Sequence, residues 1–261
     1  MPPFETQVLD LIEGRKEAPL LKGVLSFLSC PFKGGVFLRN WAYDKGFIPV
    51  VKLSCPVVSI GNITAGGTGK TPFIQLLAQE LGRDKKVAIL TRGYRSQVEN
   101  SIVKLKERDA QKFGDEPTLL QQKLPQASIW VGKDRCKSGE LAAKEGAELI
   151  LLDDGMQYRA LHRDVEIVIV DGRDPLGKGA FLPKGLLRDF PERLKNADLI
   201  IASHINNEEE FSACRAQLLP YTQTPIAGIH YRFKNPDLQG KKVGAFSAIA
   251  KPERFFQMLK T

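Results

Sequence analysis

The four cysteines, Cys30, Cys55, Cys136 and Cys214, lie far apart, with no CxxC pair and no Cys/His ligand spacing. That excludes a disulfide-stapled scaffold and a zinc site, and it fits a reducing compartment. Histidine is scarce too: His162, His204 and His230 stand singly, and lone histidines are more often structural than catalytic. The most apolar early stretch, 19–38, is interrupted by Lys22 and Lys33 and contains Pro31, Gly34 and Gly35, short of the roughly 20 unbroken apolar residues of a spanning helix. Glu5, Asp10 and Glu13 precede it and no small-residue cleavage site is evident, so it does not read as a signal peptide. Repeats and low-complexity tracts are absent. Acidic residues are in deficit, 30 against 38 lysines and arginines, a formal charge of +8. The excess points to an anionic partner, whether nucleotide, nucleic acid or acidic lipid. Nucleic acid is not expected, because the basic residues are spread along the chain rather than gathered on a face with stacking aromatics.

With 261 residues, 43% of them hydrophobic, there is enough chain for one large α/β domain, alone or with a smaller partner. From Pro56 onward, β-branched runs at 56–60, 86–91, 128–131, 148–153, 166–171, 198–202 and 225–231 alternate with helical patterns at 71–82, 116–123, 135–146 and 208–219. This alternation predicts a mostly parallel sheet with helices on both faces. The charged stretch 97–111 reads as an inserted hairpin or loop. A strand at 242–249 and a helix at 251–260 would open a new unit with little left to pack against, so the chain is expected to be a fragment. The divisions are an N-terminal helical segment over 1–50, a core over 51–235 and the start of a smaller C-terminal lobe over 236–261. Leu20, Leu21, Val24, Leu25, Phe27 and Leu28, with Arg15, Lys16, Lys22 and Lys33 close by, suit either an amphipathic helix at an anionic membrane surface or a helix packing on the core.

Residues 59–72 read SIGNITAGGTGKTP, between a strand and an amphipathic helix, the context of a Walker A phosphate loop. Thr64, Ala65, Gly66, Gly67, Thr68 and Gly69 would turn backbone N–H groups towards phosphate at a helix N-terminus. Lys70 would reach the β- and γ-phosphates and the Thr71 hydroxyl would hold Mg²⁺, while Thr64 stands where the strict pattern has glycine. The apolar strand ELILLDDG at 148–155 ends in Asp153 and Asp154, either a Walker B metal site or a simple acidic turn. No guanine-reading [NT]KxD segment occurs, 195–198 being KNAD. That weighs against a nucleotide-dependent switch, and the missing metal-ligand cysteines weigh against a metallochaperone.

Seven blocks occur in order: LRNWAYDKG (38–46), PVVSIGNITAGGTGKTP (56–72), LTRGYRS (90–96), GDEP (114–117), VGKDR (131–135), DDGMQYRALHRDVEIVIVD (153–171) and GKGAFLPKGLLRD (177–189). Through nearly the whole chain they resemble the tetraacyldisaccharide 4′-kinases of lipid A synthesis, whose loop also looks like this one. The resemblance implies a P-loop NTPase-like α/β core with a smaller C-terminal lobe. It implies transfer of the ATP γ-phosphate, with Mg²⁺, to the 4′-hydroxyl of a tetraacylated glucosamine disaccharide 1-phosphate. Asp115 of GDEP would be the base, Glu116 would assist the metal, and Arg92, Arg135 and Arg188 would hold the acceptor's 1-phosphate or the transferring phosphate. An acylated acceptor implies peripheral attachment at the cytoplasmic face of the inner membrane of a Gram-negative bacterium; no specific protein partner is implied. Tyr158 stands where the family has histidine after DDGxQ, and Lys184 and Leu186 alter LPAGPLRE. The family's later FPDHH-type histidine segment is not in the sequence, which leaves an inactive ATP-binding fragment as an alternative reading.

Overall fold

A computed structural model describes residues 3–93, 96, 98, 100–106, 109–230 and 244. Its strands are β1 (Val57–Gly61), β2 (Val87–Thr91), β3 (Val103–Lys104), β4 (Ser128–Val131), β5 (Leu149–Asp153), β6 (Val165–Asp171), β7 (Leu199–Ser203) and β8 (Ile226–Ile229). They form one sheet of order β3-β4-β2-β5-β1-β6-β7-β8, in which every pairing is parallel except β3 with β4. The helices are α1 (Pro3–Ile12), α2 (Pro19–Asp44), α3 (Lys70–Leu81), α4 (Ala110–Phe113), α5 (Asp115–Lys123), α6 (Arg135–Lys144) and α7 (Glu208–Leu218).

The inner strands are continuous apolar runs because both faces of the sheet are covered. Alternate residues divide between the faces. Ile60, Ile89, Leu151, Ile167 and Ile201 pack with Phe73 and Ile74 of α3 and Leu120 of α5. Ala88, Leu90, Ile150 and Leu152 pack with Ala142 of α6, and Val168, Val170 and Ile200 with Cys214 and Leu218 of α7. Local chemistry sets the helix starts: Asp134 and Asn207 accept from the N–H groups of Lys137 and Glu210, capping α6 and α7.

One expectation is corrected. The stretch read as too short for a spanning helix lies in α2, which runs unbroken through Pro31, Gly34 and Gly35 for 26 residues and by length and composition is apolar enough to cross a membrane. Tertiary anchoring overrides the local propensity here. Leu25, Ser29, Val36 and Asn40 form its buried stripe, and Ser29, just before the proline, donates its hydroxyl to the Phe181 carbonyl at 3.0 Å. The stretch 97–111, expected as an inserted hairpin or loop, includes the two-residue edge strand β3, antiparallel to β4, and leads into the short α4, capped by Asp109. The elements expected at 242–249 and 251–260, and the start of a second lobe, lie outside the described residues.

Candidate active site

β1 and β5 are neighbours, with Ile60 in register with Asp153, so the chain leaves both strands at the same edge of the sheet. That edge, at the carboxyl ends of parallel strands, is where α/β proteins bind ligands. A Cβ on Gly61 would lie 2.5 Å from the Cβ of Met156, so glycine is needed for the two exits to close on each other. Beyond Gly61 the loop reaches an exposed tip at Gly66 and Gly67. It enters α3 through Gly69, whose φ of 86° is left-handed and suits glycine. Lys70 is the first residue of α3 and Thr71 the second.

The cations meet on the second Walker B carboxylate. Lys70 Nζ lies 3.4 Å from Asp154 Oδ1. Arg188 grips both oxygens, Nη1 to Oδ1 at 2.9 Å and Nη2 to Oδ2 at 2.8 Å, the fork geometry that makes such pairs strong. Arg188 Nη1 also donates to Asn62 Oδ1 at 3.1 Å. Asn62 is fully buried and donates Nδ2 to the Thr64 carbonyl at 2.5 Å, while its own carbonyl accepts from Gln157 Nε2 at 2.8 Å. Backbone bonds brace the loop from the same side, Ala65 N–H to Leu186 O at 2.7 Å and Arg188 N–H to Ile63 O at 2.8 Å.

The neighbouring aspartates are driven in opposite directions. Burial, then the nearby Glu116 carboxylate, raises Asp153 to about 6 against the pull of Lys70, and Thr91 Oγ1 donates to its Oδ2 at 3.1 Å. Burial would raise Asp154 as well, but the Arg188 hydrogen bonds and the charges of Lys70, Arg188 and Arg135 outweigh it and hold Asp154 at about 2. Stability follows from each sign. For Asp153 it is greatest below the ordinary 3.8, falls as pH rises to about 6, and stays reduced above. For Asp154 it is present above 3.8 and lost as pH falls towards about 2. Asp153→Asn, which keeps an acceptor for Thr91, is therefore expected to stabilise the fold by about 1–3 kcal/mol at pH 7.5. The gain should shrink towards zero near pH 4, and melting curves at the two pH values check it.

Arg135 opens α6, buried, its guanidinium 4.1 Å from the centre of the Tyr158 ring. Its Nε is buried without a hydrogen-bond partner. Burial pulls its pKa down, Asp154, Tyr158 and Asp153 oppose that, and Arg92 adds to it, so Arg92, exposed after β2, belongs to the same electrostatic field. The Tyr158 hydroxyl accepts from the N–H groups of Arg135 at 3.0 Å and Cys136 at 3.4 Å, docking the start of α6 on the turn after β5. Burial raises the Tyr158 phenol to about 12, so it stays neutral.

Asp115 and Glu116 stand exposed in the first turn of α5. Thus Lys70, Arg135, Asp153, Asp154, Arg188 and Glu116 share one field, and Thr71 and Asp115 adjoin it in sequence. Both Asp154 oxygens are engaged by Arg188, so Asp153 is the carboxylate better placed to face a metal directly. Among the described residues no three or more His, Cys, Asp or Glu converge as a metal site. Magnesium asks for only one or two carboxylates when phosphates complete its shell, and Asp153 with the Thr71 hydroxyl fits that donor set. Asn62, Thr91 and Gln157 were missed by sequence reasoning; for Asn62 the available signal was a lone amide closing an apolar run. The departures at Lys184 and Leu186 act through backbone, Leu186 N–H donating to Gly177 O at 2.9 Å and Lys184 N–H to Ser29 Oγ at 3.1 Å.

Comparison with known proteins bears on the family and the fold. The family model described as tetraacyldisaccharide-1-P 4′-kinase (LpxK) matches residues 21–261. A tetraacyldisaccharide 4′-kinase of Chlamydia pneumoniae is 42% identical over 216 residues, which are 78% of this chain and 59% of that protein. One from Geobacter metallireducens is 38% identical over 255 residues, 92% of this chain and 75% of that protein. Both relatives are longer than this chain, which spans 59% of the first and 75% of the second. A crystal structure of LpxK from Aquifex aeolicus in complex with ATP has a similar fold, with a TM-score of 0.75 and 30% identity, covering 92% of this chain and 78% of that one. A family match across all but the first twenty residues, together with relatives above 35% identity, assigns this chain to the tetraacyldisaccharide-1-P 4′-kinase family.

Proposed function

We propose that the protein transfers the γ-phosphoryl group of ATP to the 4′-hydroxyl of a tetraacylated glucosamine disaccharide 1-phosphate, giving the 4′-phosphorylated lipid A precursor. The observation that carries this reading is the convergence of Lys70 and Arg188 on Asp154 beside the glycine loop. It gathers cations where a triphosphate would lie, on a side chain that is already anionic. Lys70 and the amides of residues 64–71 seat the phosphates. Asp153 and Thr71, with Asp154 and Glu116 beside them, would hold a magnesium ion, which would supply charge neutralisation for the phosphates. Asp115 takes the proton of the 4′-hydroxyl as that oxygen bonds to the γ-phosphorus and the bond to the β-phosphate oxygen breaks, releasing ADP. Arg92, Arg135 and Arg188 hold the transferring phosphate or the acceptor's 1-phosphate. The buried Nε of Arg135, still lacking a partner, supports an anion-binding role there. The family assignment gives no support to a switch or metallochaperone reading.

The acceptor's acyl chains place the reaction at a membrane, and we assign α2 to the cytoplasmic face of the inner membrane. Its burial is inverted: two of its four buried residues are the polar Ser29 and Asn40, while Leu20 is 90%, Phe27 76%, Leu38 61% and Phe37 60% exposed. An exposed apolar face of this kind marks an interaction surface, and Lys22 and Lys33 on the same helix suit anionic lipid. Residues 1–50 are accordingly proposed as the membrane-proximal segment, with the kinase core following from residue 51.

One assay tests the reaction and the surface together. Labelled γ-phosphate should pass from ATP to the acceptor, both in anionic vesicles and dispersed in detergent. Phe27→Asp combined with Phe37→Asp should cut transfer in vesicles at least about tenfold while sparing the detergent assay. Nucleotide binding without transfer in either format would leave the chain an ATP-binding unit only.

A further inference from the structure

The LRNWAYDKG block has no part in the reaction as described, yet its Asn40 is one of the two polar residues that α2 buries. Asn40 is buried and Asp189 is 1% exposed. Asp189 Oδ1 accepts from Asn40 Nδ2 at 2.6 Å and from the N–H of Phe190 at 2.8 Å, and Oδ2 accepts from Arg39 Nη2 at 2.9 Å. One turn further along α2, Asp44 accepts from Arg159 at 2.6 Å, and the Asn40 carbonyl accepts from the same guanidinium at 3.0 Å. Burying a carboxylate is costly, and well-packed apolar residues would often serve stability as well or better. What the polar contact supplies is direction, and the residue it directs is the neighbour of Arg188.

Arg188 has its N–H on Ile63 O and its guanidinium on Asp154 and Asn62, and Asn62 holds the Thr64 carbonyl within the phosphate loop. A continuous series of short polar contacts thus runs from the exposed apolar helix to the glycine loop: Asn40, Asp189, the Asp189–Arg188 peptide, Asn62, Thr64. We infer that Asn40 and Asp189 are a positioning pair which ties the seating of α2 to the reach of Arg188, so that nucleotide affinity and the placement of α2 are coupled. The inference rests on the nucleotide reading proposed above and extends it to a device that no reacting atom touches. Coupling free energy is reciprocal, so a nucleotide bound at the loop must alter α2, and a disturbed α2 must weaken the nucleotide.

The sequence holds two tryptophans. Trp41 follows Asn40 on α2 and is partly exposed, while Trp130 is buried in β4. In a Trp130→Phe parent, Mg-ATP should shift the emission of Trp41 saturably. Asn40→Asp sets two carboxylates face to face, and Asp189→Asn sets two amides. Each should weaken Mg-ATP about tenfold, within the usual range of coupling between sites, and abolish the emission response. The exchange variant carrying both substitutions returns one carboxylate and one amide to the pair. Because Asp189 Oδ1 serves both residue 40 and the Phe190 N–H, the amide at 189 cannot satisfy both, so the exchange should not recover the parent's affinity; its loss should stay near the roughly tenfold of one single variant and fall short of the roughly hundredfold of two independent ones. Should a single variant not fold, Arg39→Gln, which removes the guanidinium's contacts to Asp189 Oδ2 and Asn40 Oδ1, should weaken binding about threefold. Single variants that melt earlier but bind Mg-ATP like the parent would show a purely structural anchor and overturn the inference, leaving the nucleotide reading intact. A folded parent that shows no saturation with Mg-ATP would overturn both.

Discussion

Lys70→Ala is expected to lower the affinity for Mg-ATP by about 100-fold or more, close to 3 kcal/mol, with little change in folding. The ammonium is mostly buried at the start of α3, 3.4 Å from Asp154, and an ion in such a place interacts far more strongly than one in bulk water. In the free protein its loss is tolerable, because Asp154 keeps both bonds from Arg188. In the complex the phosphates lose one of the two cations gathered on Asp154, while Arg188 stays tied to Asp154 and Asn62. Calorimetry at fixed Mg²⁺ reads the difference, and a Kd within about threefold of the wild type would remove Lys70 from the phosphate seat.

Asp115→Ala is expected to have a larger effect on rate and almost none on affinity. Transfer to the acceptor should fall about 10³-fold, the middle of the range for losing a general base, while the Kd for Mg-ATP stays within about twofold. The separation arises because Asp115, exposed at the first position of α5, acts on the acceptor's proton and is not one of the groups that seat the phosphates. Stability should fall by about 0.3–1 kcal/mol, the worth of an acidic side chain at a helix N-terminus. Asp115→Asn, similar in shape but unable to accept the proton, should lose the same rate. Full transfer by either variant would pass the role of base to another group.

How much of this was legible beforehand depended on how local each signal is. β1, β2 and β5 could be read from residues alone because strands covered on both faces are unbroken apolar runs, and GGTGKT announces its turn within six residues. Arg188 could be named but not placed: it was a candidate for phosphate alone, and its pairing with Asp154, 34 positions away, follows from strand order and not from spacing. Asn62 and Asp189 were missed for the same reason, as each looks like an ordinary polar residue until partners arrive from distant segments. The full length of α2 is not legible in the sequence, because Lys22 and Lys33 interrupt its apolar run and Pro31, Gly34 and Gly35 break helices on average, whereas anchors at Ser29 and Asn40 on either side hold this one together. β3 is only two residues long and offers no alternation to detect. Tyr158, noticed as a departure from the family, turned out to cap α6 and to lie against Arg135, a use its position in the sequence did not suggest.

The bonds from Ala65 to Leu186 and from Arg188 to Ile63 bear on how far the protein could be shortened. A version ending with β6 at Asp171 would retain every letter of the glycine-rich signature, yet its first turn would have lost the outer rail that holds it upright. The smallest piece able to grip a nucleotide must therefore extend through Asp189, and a search for such pieces by the glycine signature alone would select many that cannot.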